Sequence, residues 1–203
     1  MGSAARCGYA GGMPGFQYYV ASSLDGFIAT ADDQLDWLLQ FDGFDGGKES
    51  YDAFMADVGC IVMGGETYSW LREHEPHTWP YPATPSWVFT HHEHAAPGGA
   101  DVTFVRGPVT EFLEDLKASA NGKNVWVVGG GDLAAQFADA GALDELIISI
   151  IPVVLGSGKP VLPLAGPTAP LELVASNPLG RGIVELRYRF GAQHSAPARP
   201  KGA

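Results

Sequence analysis

The chain has 203 residues, 46% of them hydrophobic, which suffices for one domain with a full core. A formal net charge of −11 sets the surface against nucleic-acid duplexes and anionic membranes, so any anionic ligand must be met by local backbone N–H groups and a few placed cations. No stretch is apolar over the length of a bilayer crossing, and two cysteines, Cys7 and Cys60, make neither a disulfide framework nor a zinc site.

Residues 1–15 lack the apolar run of a signal peptide and read as a flexible extension, which makes the cytoplasm the expected compartment. Gln17 to Ser22 is rich in β-formers and reads as a strand, followed by a turn at Asp25-Gly26. Asp32 to Gln40 fits a short helix or an ordered loop. Tyr51, Phe54, Met55 and Val58 share one face of a helix starting near Ser50. The strand Cys60–Met63 runs into Gly64-Gly65 and a helix beginning near Glu66. Four prolines between Glu73 and Pro85 dictate a loop. Ser86–Thr90 and Val102–Val105 are strands, and Val109–Ala118 reads as a helix. Val125–Val128, four apolar residues, has the pattern of a strand buried on both faces. It empties into Gly129-Gly130-Gly131 and a helix over Leu133–Ala138. Glu145–Val154 is a long strand. Leu171–Ala175 and Ile183–Phe190 alternate as antiparallel strands, with Glu185, Arg187 and Arg189 on the wet face.

Strands and helices alternate to about residue 150, and a strand hairpin closes the chain. This order predicts one α/β domain over residues 16–191, with a mostly parallel sheet, an antiparallel C-terminal edge and helices on both faces. The tail 192–203 is expected to be disordered. Charged residues make up only 17% of the chain, and Ile147 to Ile151 is apolar apart from Ser149; both predict a homodimer that covers part of the surface.

In such sheets ligands bind beyond the carboxyl ends of the strands. Three junctions there invite a ligand: Met63 into Gly64-Gly65-Glu66-Thr67, Thr90 into His91-His92, and Val128 into Gly129-Gly130-Gly131. Glycine permits close backbone approach, and a helix start offers free N–H groups to a phosphate. The third junction equally suits a plain structural turn. Gly129, Gly131 and Ala134 match a dinucleotide G-x-G-x-x-A pattern, but the next strand ends in Ile150-Ile151-Pro152 without the acidic residue a Rossmann unit requires.

Taken together, Ser22 to Ala29, Val62-Met63-Gly64-Gly65-Glu66-Thr67-Tyr68, Val127 to Gly131, Leu143 to Leu146 and Pro152 to Gly158 resemble, in order and spacing, a known family. It is the dihydrofolate reductase-like fold, specifically the reductase domain of bacterial riboflavin biosynthesis (the RibD C-terminal domain) and its stand-alone relatives. The resemblance implies a three-layer sandwich and NADPH lying across the strand ends. Ala21, Ile28, Gly64, Gly65 and Thr67 would border it on one side, and Gly129, Gly130, Gly131, Asp132 and Leu133 would meet its pyrophosphate. Thr90, His91 and Arg106 would meet its adenosine end. A cis peptide is expected at Gly129-Gly130. Relatives commonly carry arginine near Gly65 or Glu66 to pair the 2′-phosphate. Here Glu66 stands instead, leaving His91, His92 and Arg106 as the substitutes, since histidine can charge beside an anion near neutral pH.

Hydride transfer needs alignment, exclusion of water and a proton for the reduced atom. The resemblance places the acid at the start of the helix before the second long strand, where Glu49 and Asp52 stand. An acid there equally serves the helix dipole from the solvent side. Asp25 is a turn former whose side chain binds backbone amides and which, in the family, also borders the nicotinamide. Trp37 either stacks on a planar substrate or plugs the core, and Ser149 is a further substrate contact. Gly156, Ser157 and the following Gly158-Lys159 form either a substrate phosphate site or a strand bulge. Adjacent histidines at a strand end point to opposite sides, so His91-His92-Glu93-His94 is not read as a metal site. Nor does the chain carry the H-x-E and P-C-x-x-C pattern of a zinc deaminase. The sequence thus predicts an NAD(P)H-dependent reductase of a pteridine- or pyrimidine-like ring. A non-catalytic dinucleotide-binding module and a scaffold dimer stay open beside it.

Overall fold

The computed structural model describes residues 14–41, 43 and 46–191; the expected extension (apart from Pro14 and Gly15) and the tail lie outside them. The strands are β1 (Phe16–Ser23), β2 (Phe27–Ala29), β3 (Val58–Gly64), β4 (Ser86–Phe89), β5 (Val102–Val105), β6 (Asn124–Gly129), β7 (Leu143–Ile151), β8 (Lys159–Pro160), β9 (Glu172–Gly180) and β10 (Ile183–Arg189). The helices are α1 (Asp36–Leu39), α2 (Gly47–Ala56), α3 (Gly65–His74), α4 (Leu113–Ser119) and α5 (Gly131–Asp139). Eight strands form one sheet in the order β5-β4-β3-β6-β1-β7-β10-β9, and β2 pairs with β8 apart from it. All neighbours from β5 to β7 are parallel; β10 runs against both β7 and β9.

Alternation within the strands sorts side chains onto two faces. Cys60 and Val62 of β3, with Phe16, Tyr18 and Val127, pack against Leu116 of α4 and Ala134 and Phe137 of α5. Ile61 and Met63, with Val88 and Trp126, pack against Phe54 of α2 and Tyr68 of α3. The result is the three-layer sandwich expected. Cys60 is fully buried and, as expected, serves as a small hydrophobe.

Several boundaries differ from the sequence reading. The helix expected over Val109–Ala118 is a 3-10 turn, Val109–Glu111, and then α4, because the chain turns at Phe112 to bring Val109 onto the core. The helix expected from Ser50 starts at Gly47. β7 ends at Ile151 rather than Val154, where Pro152 removes a donor from the ladder. The largest correction concerns β10. The side of the strand bearing Glu185 and Arg187 is not wet: Glu185 is 6% exposed, and Arg187 forms an ion pair with Glu145 that is mostly buried. The reason is α2, which lies over this face and brings the Ser50 hydroxyl to 2.7 Å from Glu185 Oε2.

Candidate functional site

A cleft of about 880 Å³ opens beyond the carboxyl ends of β5, β4, β3, β6 and β1. Two glycine junctions form its middle. At the first, α3 starts from Gly64; at the second, α5 starts from Gly130. No side chain caps either start. The first N–H groups of a helix lack a carbonyl one turn back, although in α5 the Leu133 N–H donates to the Gly130 carbonyl oxygen at 3.1 Å, and two helix dipoles place positive ends at one spot. The junctions are neighbours: a Cβ on Gly64 would lie 3.8 Å from the Gly129 carbonyl oxygen, and one on Gly129 would lie 3.8 Å from Thr67 Oγ1. The Gly129-Gly130 peptide is cis, as expected.

The three glycines of the second junction differ in what they face. Gly129 has φ +147°, a conformation that side chains rarely adopt. Gly130 has an ordinary extended backbone, and a Cβ there would meet nothing within 4 Å because it projects into the cleft. A Cβ on Gly131 would stand 2.3 Å from the Pro160 carbonyl oxygen, so this glycine lets α5 dock under β8. Accordingly all the residues expected to touch a dinucleotide line the cleft except Gly131. At Gly65 a Cβ would stand 2.8 Å from Thr90 Oγ1, so a side chain there would have to displace Thr90.

One end of the cleft is formed by the ends of β4 and β5. Arg106 donates from Nη2 to the His91 carbonyl oxygen at 2.6 Å, which holds its guanidinium at the rim. Thr90 Oγ1 accepts from the His92 N–H at 3.0 Å. The His94 ring stacks on Phe104 at 5.8 Å. Among the described residues no three His, Cys, Asp or Glu side chains gather to hold a metal ion.

The opposite end is bounded by Ala21, by Leu35 and Leu38 around α1, and by Trp70, Leu71 and Glu73 of α3. Trp70 escaped the sequence reading, although it stands one turn after Thr67 and so shares its helix face. Trp37 does not line the cleft. It is buried against Ile151, Leu179 and Ile183, while its neighbours Leu35 and Leu38 reach the cavity. Ser149 is buried in the sheet, paired with Ala21 on one side and Glu185 on the other. Glu49 and Asp52 are exposed on α2, Asp52 in an ion pair with Lys48, and neither borders the cleft. The one buried carboxylate among the described residues is Glu185, hydrogen-bonded by Ser50. It was read as solvated because strand alternation cannot tell which face a helix will cover.

Asp25 binds backbone amides, as expected of it, and they belong to a distant loop. Its carboxylate accepts from Ser23 Oγ at 2.7 Å and from the N–H groups of Leu155 at 3.1 Å and Gly156 at 2.7 Å. These bonds, the Ser23 hydroxyl foremost, bring its pKa down to about 2. Further along the same loop, Lys159 pairs with Asp33 and, at 3.0 Å, with Glu66 across the cleft mouth. Partial burial works against the charge of Lys159, yet the two carboxylates outweigh it and raise the lysine pKa.

With this geometry in view, the chain belongs to the RibD C-terminal domain family, whose model matches residues 16–185. YwjB of Bacillus subtilis (strain 168), an uncharacterized protein, is 35% identical over 176 residues, which cover 84% of this chain and 94% of that one. A solved protein of Shewanella sp. PV-4, named for riboflavin biosynthesis, matches with a TM-score of 0.74 at 26% identity, over 87% of this chain and 99% of its own. Dihydrofolate reductase of Enterococcus faecalis, solved with NADP(H), matches with a TM-score of 0.57 at 14% identity, over 86% of this chain and 95% of its own. The fold is therefore dihydrofolate reductase-like. No helix among the described residues is long and apolar enough to cross a membrane.

Proposed function

We propose that this chain is a reductase that uses a nicotinamide dinucleotide, NADPH in preference to NADH, to reduce a small nitrogen heterocycle. One observation carries the reading: two uncapped helix starts, each preceded by glycine, stand side by side in the middle of a single cleft of dinucleotide size. The first turns of α3 and α5 and the Thr67 hydroxyl would hold the pyrophosphate. Thr90, His91 and Arg106 would meet the adenosine end, where Arg106 brings a guanidinium cation suited to a phosphate. Ala21 and Ile28 would border the reactive ring. The bound cofactor supplies a hydride; the chain aligns the two rings and keeps water from between them. Asp33 and Glu66 are tied to Lys159, and Glu49 and Asp52 stand outside the cleft, so the proton for the reduced atom would come from the exposed Glu73 at the cleft edge or from water. The family match and the dihydrofolate reductase-like neighbour solved with NADP(H) support the cofactor class.

The test is calorimetric titration with NADPH and NADH, followed by NADPH oxidation with a panel of pterins, pyrimidines and quinones. Binding and turnover are expected. Tight NADPH binding with no turnover would leave a dinucleotide-binding module, and absence of binding would overturn the reading. We also propose that a second copy of the chain covers the terminal hairpin, where Leu173 and Val184 are 53% and 37% exposed. Light scattering reporting a monomer at micromolar concentration would refute that.

A further inference from the structure

The loop Leu155–Lys159 has the make-up of a phosphate cradle: glycines, a serine and a lysine beside the cleft. Three of its donors are already engaged. The Leu155 and Gly156 N–H groups are given to the Asp25 carboxylate, and Lys159 is held between Asp33 and Glu66. An internal carboxylate occupies the place a phosphate oxygen would take, and two more neutralise the lysine.

Charge along the cleft is divided to match. Among the side chains that line the cleft, the guanidinium of Arg106 and the imidazoles of His91, His92 and His94 belong to the ends of β4 and β5, while His74 lies behind Trp70 and does not line it. The ring end is bounded by β1, three strands from β4 in the sheet. At the usual strand spacing this is about 14 Å, beyond a Debye length of roughly 8 Å in physiological salt. The charged side chains that line the cleft near the ring end are Asp33, Glu66 and Glu73, together with the Lys159 that Asp33 and Glu66 engage. Its other walls are apolar: Ala21, Leu35, Leu38 and Leu71. Trp70 completes it as a flat surface. His74 stacks on the indole at 3.9 Å and 17°, and its Nδ1 lies 2.8 Å from the Trp70 carbonyl oxygen, which braces the ring.

We infer that the ring end takes a flat, unphosphorylated substrate, neutral or positively charged, and that Leu155–Lys159 is a structural brace rather than a phosphate site. This rests on the reading of the other end as the dinucleotide site, and it narrows the substrate class of the reductase.

The test uses matched pairs that differ by one phosphate ester: riboflavin with its 5′-phosphate, and cytidine with its 5′-monophosphate. NADPH binding is measured first, so its failure would count against the dinucleotide reading alone. With NADPH bound, or replaced by buffer if it does not bind, each pair is titrated calorimetrically. At least one unphosphorylated ring is expected to bind at least tenfold more tightly than its phosphate ester. Equal affinity, tighter binding of the ester, or no binding of any of the four compounds at millimolar concentration would overturn the inference. In the double variant Asp33→Asn, Glu66→Gln, Lys159 is released and the ratio should fall at least threefold. An unchanged ratio would overturn the role given to the paired lysine.

Discussion

Two glycine-rich loops stand at the edge of the same cleft and have opposite fates. Around Gly129-Gly130-Gly131 the helix start is uncapped and the middle glycine faces open space. Around Leu155–Gly158 the backbone donors point at a carboxylate of the chain itself, and a Cβ on Gly158 would stand 2.2 Å from the Ala29 carbonyl oxygen. Glycine content alone does not make an anion site. What matters is whether the N–H groups are left without a partner and whether the missing side chain leaves space for a ligand or for the protein's own backbone.

Substitutions can break this contrast at chosen points. Gly131→Ala should have the largest effect, because its Cβ would collide with the Pro160 carbonyl; overpacking of this kind costs about 1–3 kcal/mol, read as a lower midpoint in urea. At the adjacent position the effect should move from the fold to the ligand. Gly130→Val should keep the unfolding midpoint near wild type, while the NADPH dissociation constant rises at least tenfold, or about 1.4 kcal/mol.

For the second loop, Asp25→Ala removes the internal acceptor. The amides of Leu155 and Gly156 should then exchange with deuterium at least tenfold faster. Millimolar inorganic phosphate should slow them again in the variant and leave the wild type unaffected. The pH dependence follows from the sign of the shift. Asp25 has a folded pKa of about 2, below the ordinary aspartate value of 3.8. Its contribution to stability is therefore complete above about pH 4 and is lost as pH falls toward 2. Thermal melts should show a wild-type decline over that window that is shallower in Asp25→Asn. The smallest effect is expected at the cationic end: Arg106→Ala should weaken NADPH by three- to tenfold more than NADH, compared by titration of both cofactors.

Much of this was legible locally. Val125–Val128 announces a strand buried on both faces, and the glycines after it announce a turn into a helix, since both signals lie within a few residues of the backbone they shape. The parallel order of the sheet follows from strand–helix alternation, and the junctions Met63–Gly64 and Val128–Gly129 were recognisable as candidate binding points for the same reason. Cleft lining by Gly64, Gly65, Thr67, Thr90, His91 and Arg106 accords with that reading.

The rest depended on contacts between distant parts of the chain. Asp25 meets Gly156 across 131 residues, Lys159 meets Glu66 across 93, and Ser50 meets Glu185 across 135. A turn-forming aspartate, a helical glutamate and a strand glutamate have unremarkable local signatures, and strand periodicity marks two faces without saying which one a helix will cover. Composition and spacing could therefore specify that the loop after β7 has the parts of an anion site. That three of its donors are already taken, that Trp70 rather than Trp37 lines the cleft, and that the buried acid is Glu185 rather than Glu49 or Asp52 were decided by packing. Satisfying buried hydrogen-bond donors and carboxylates is a property of the assembled fold, not of any segment of it.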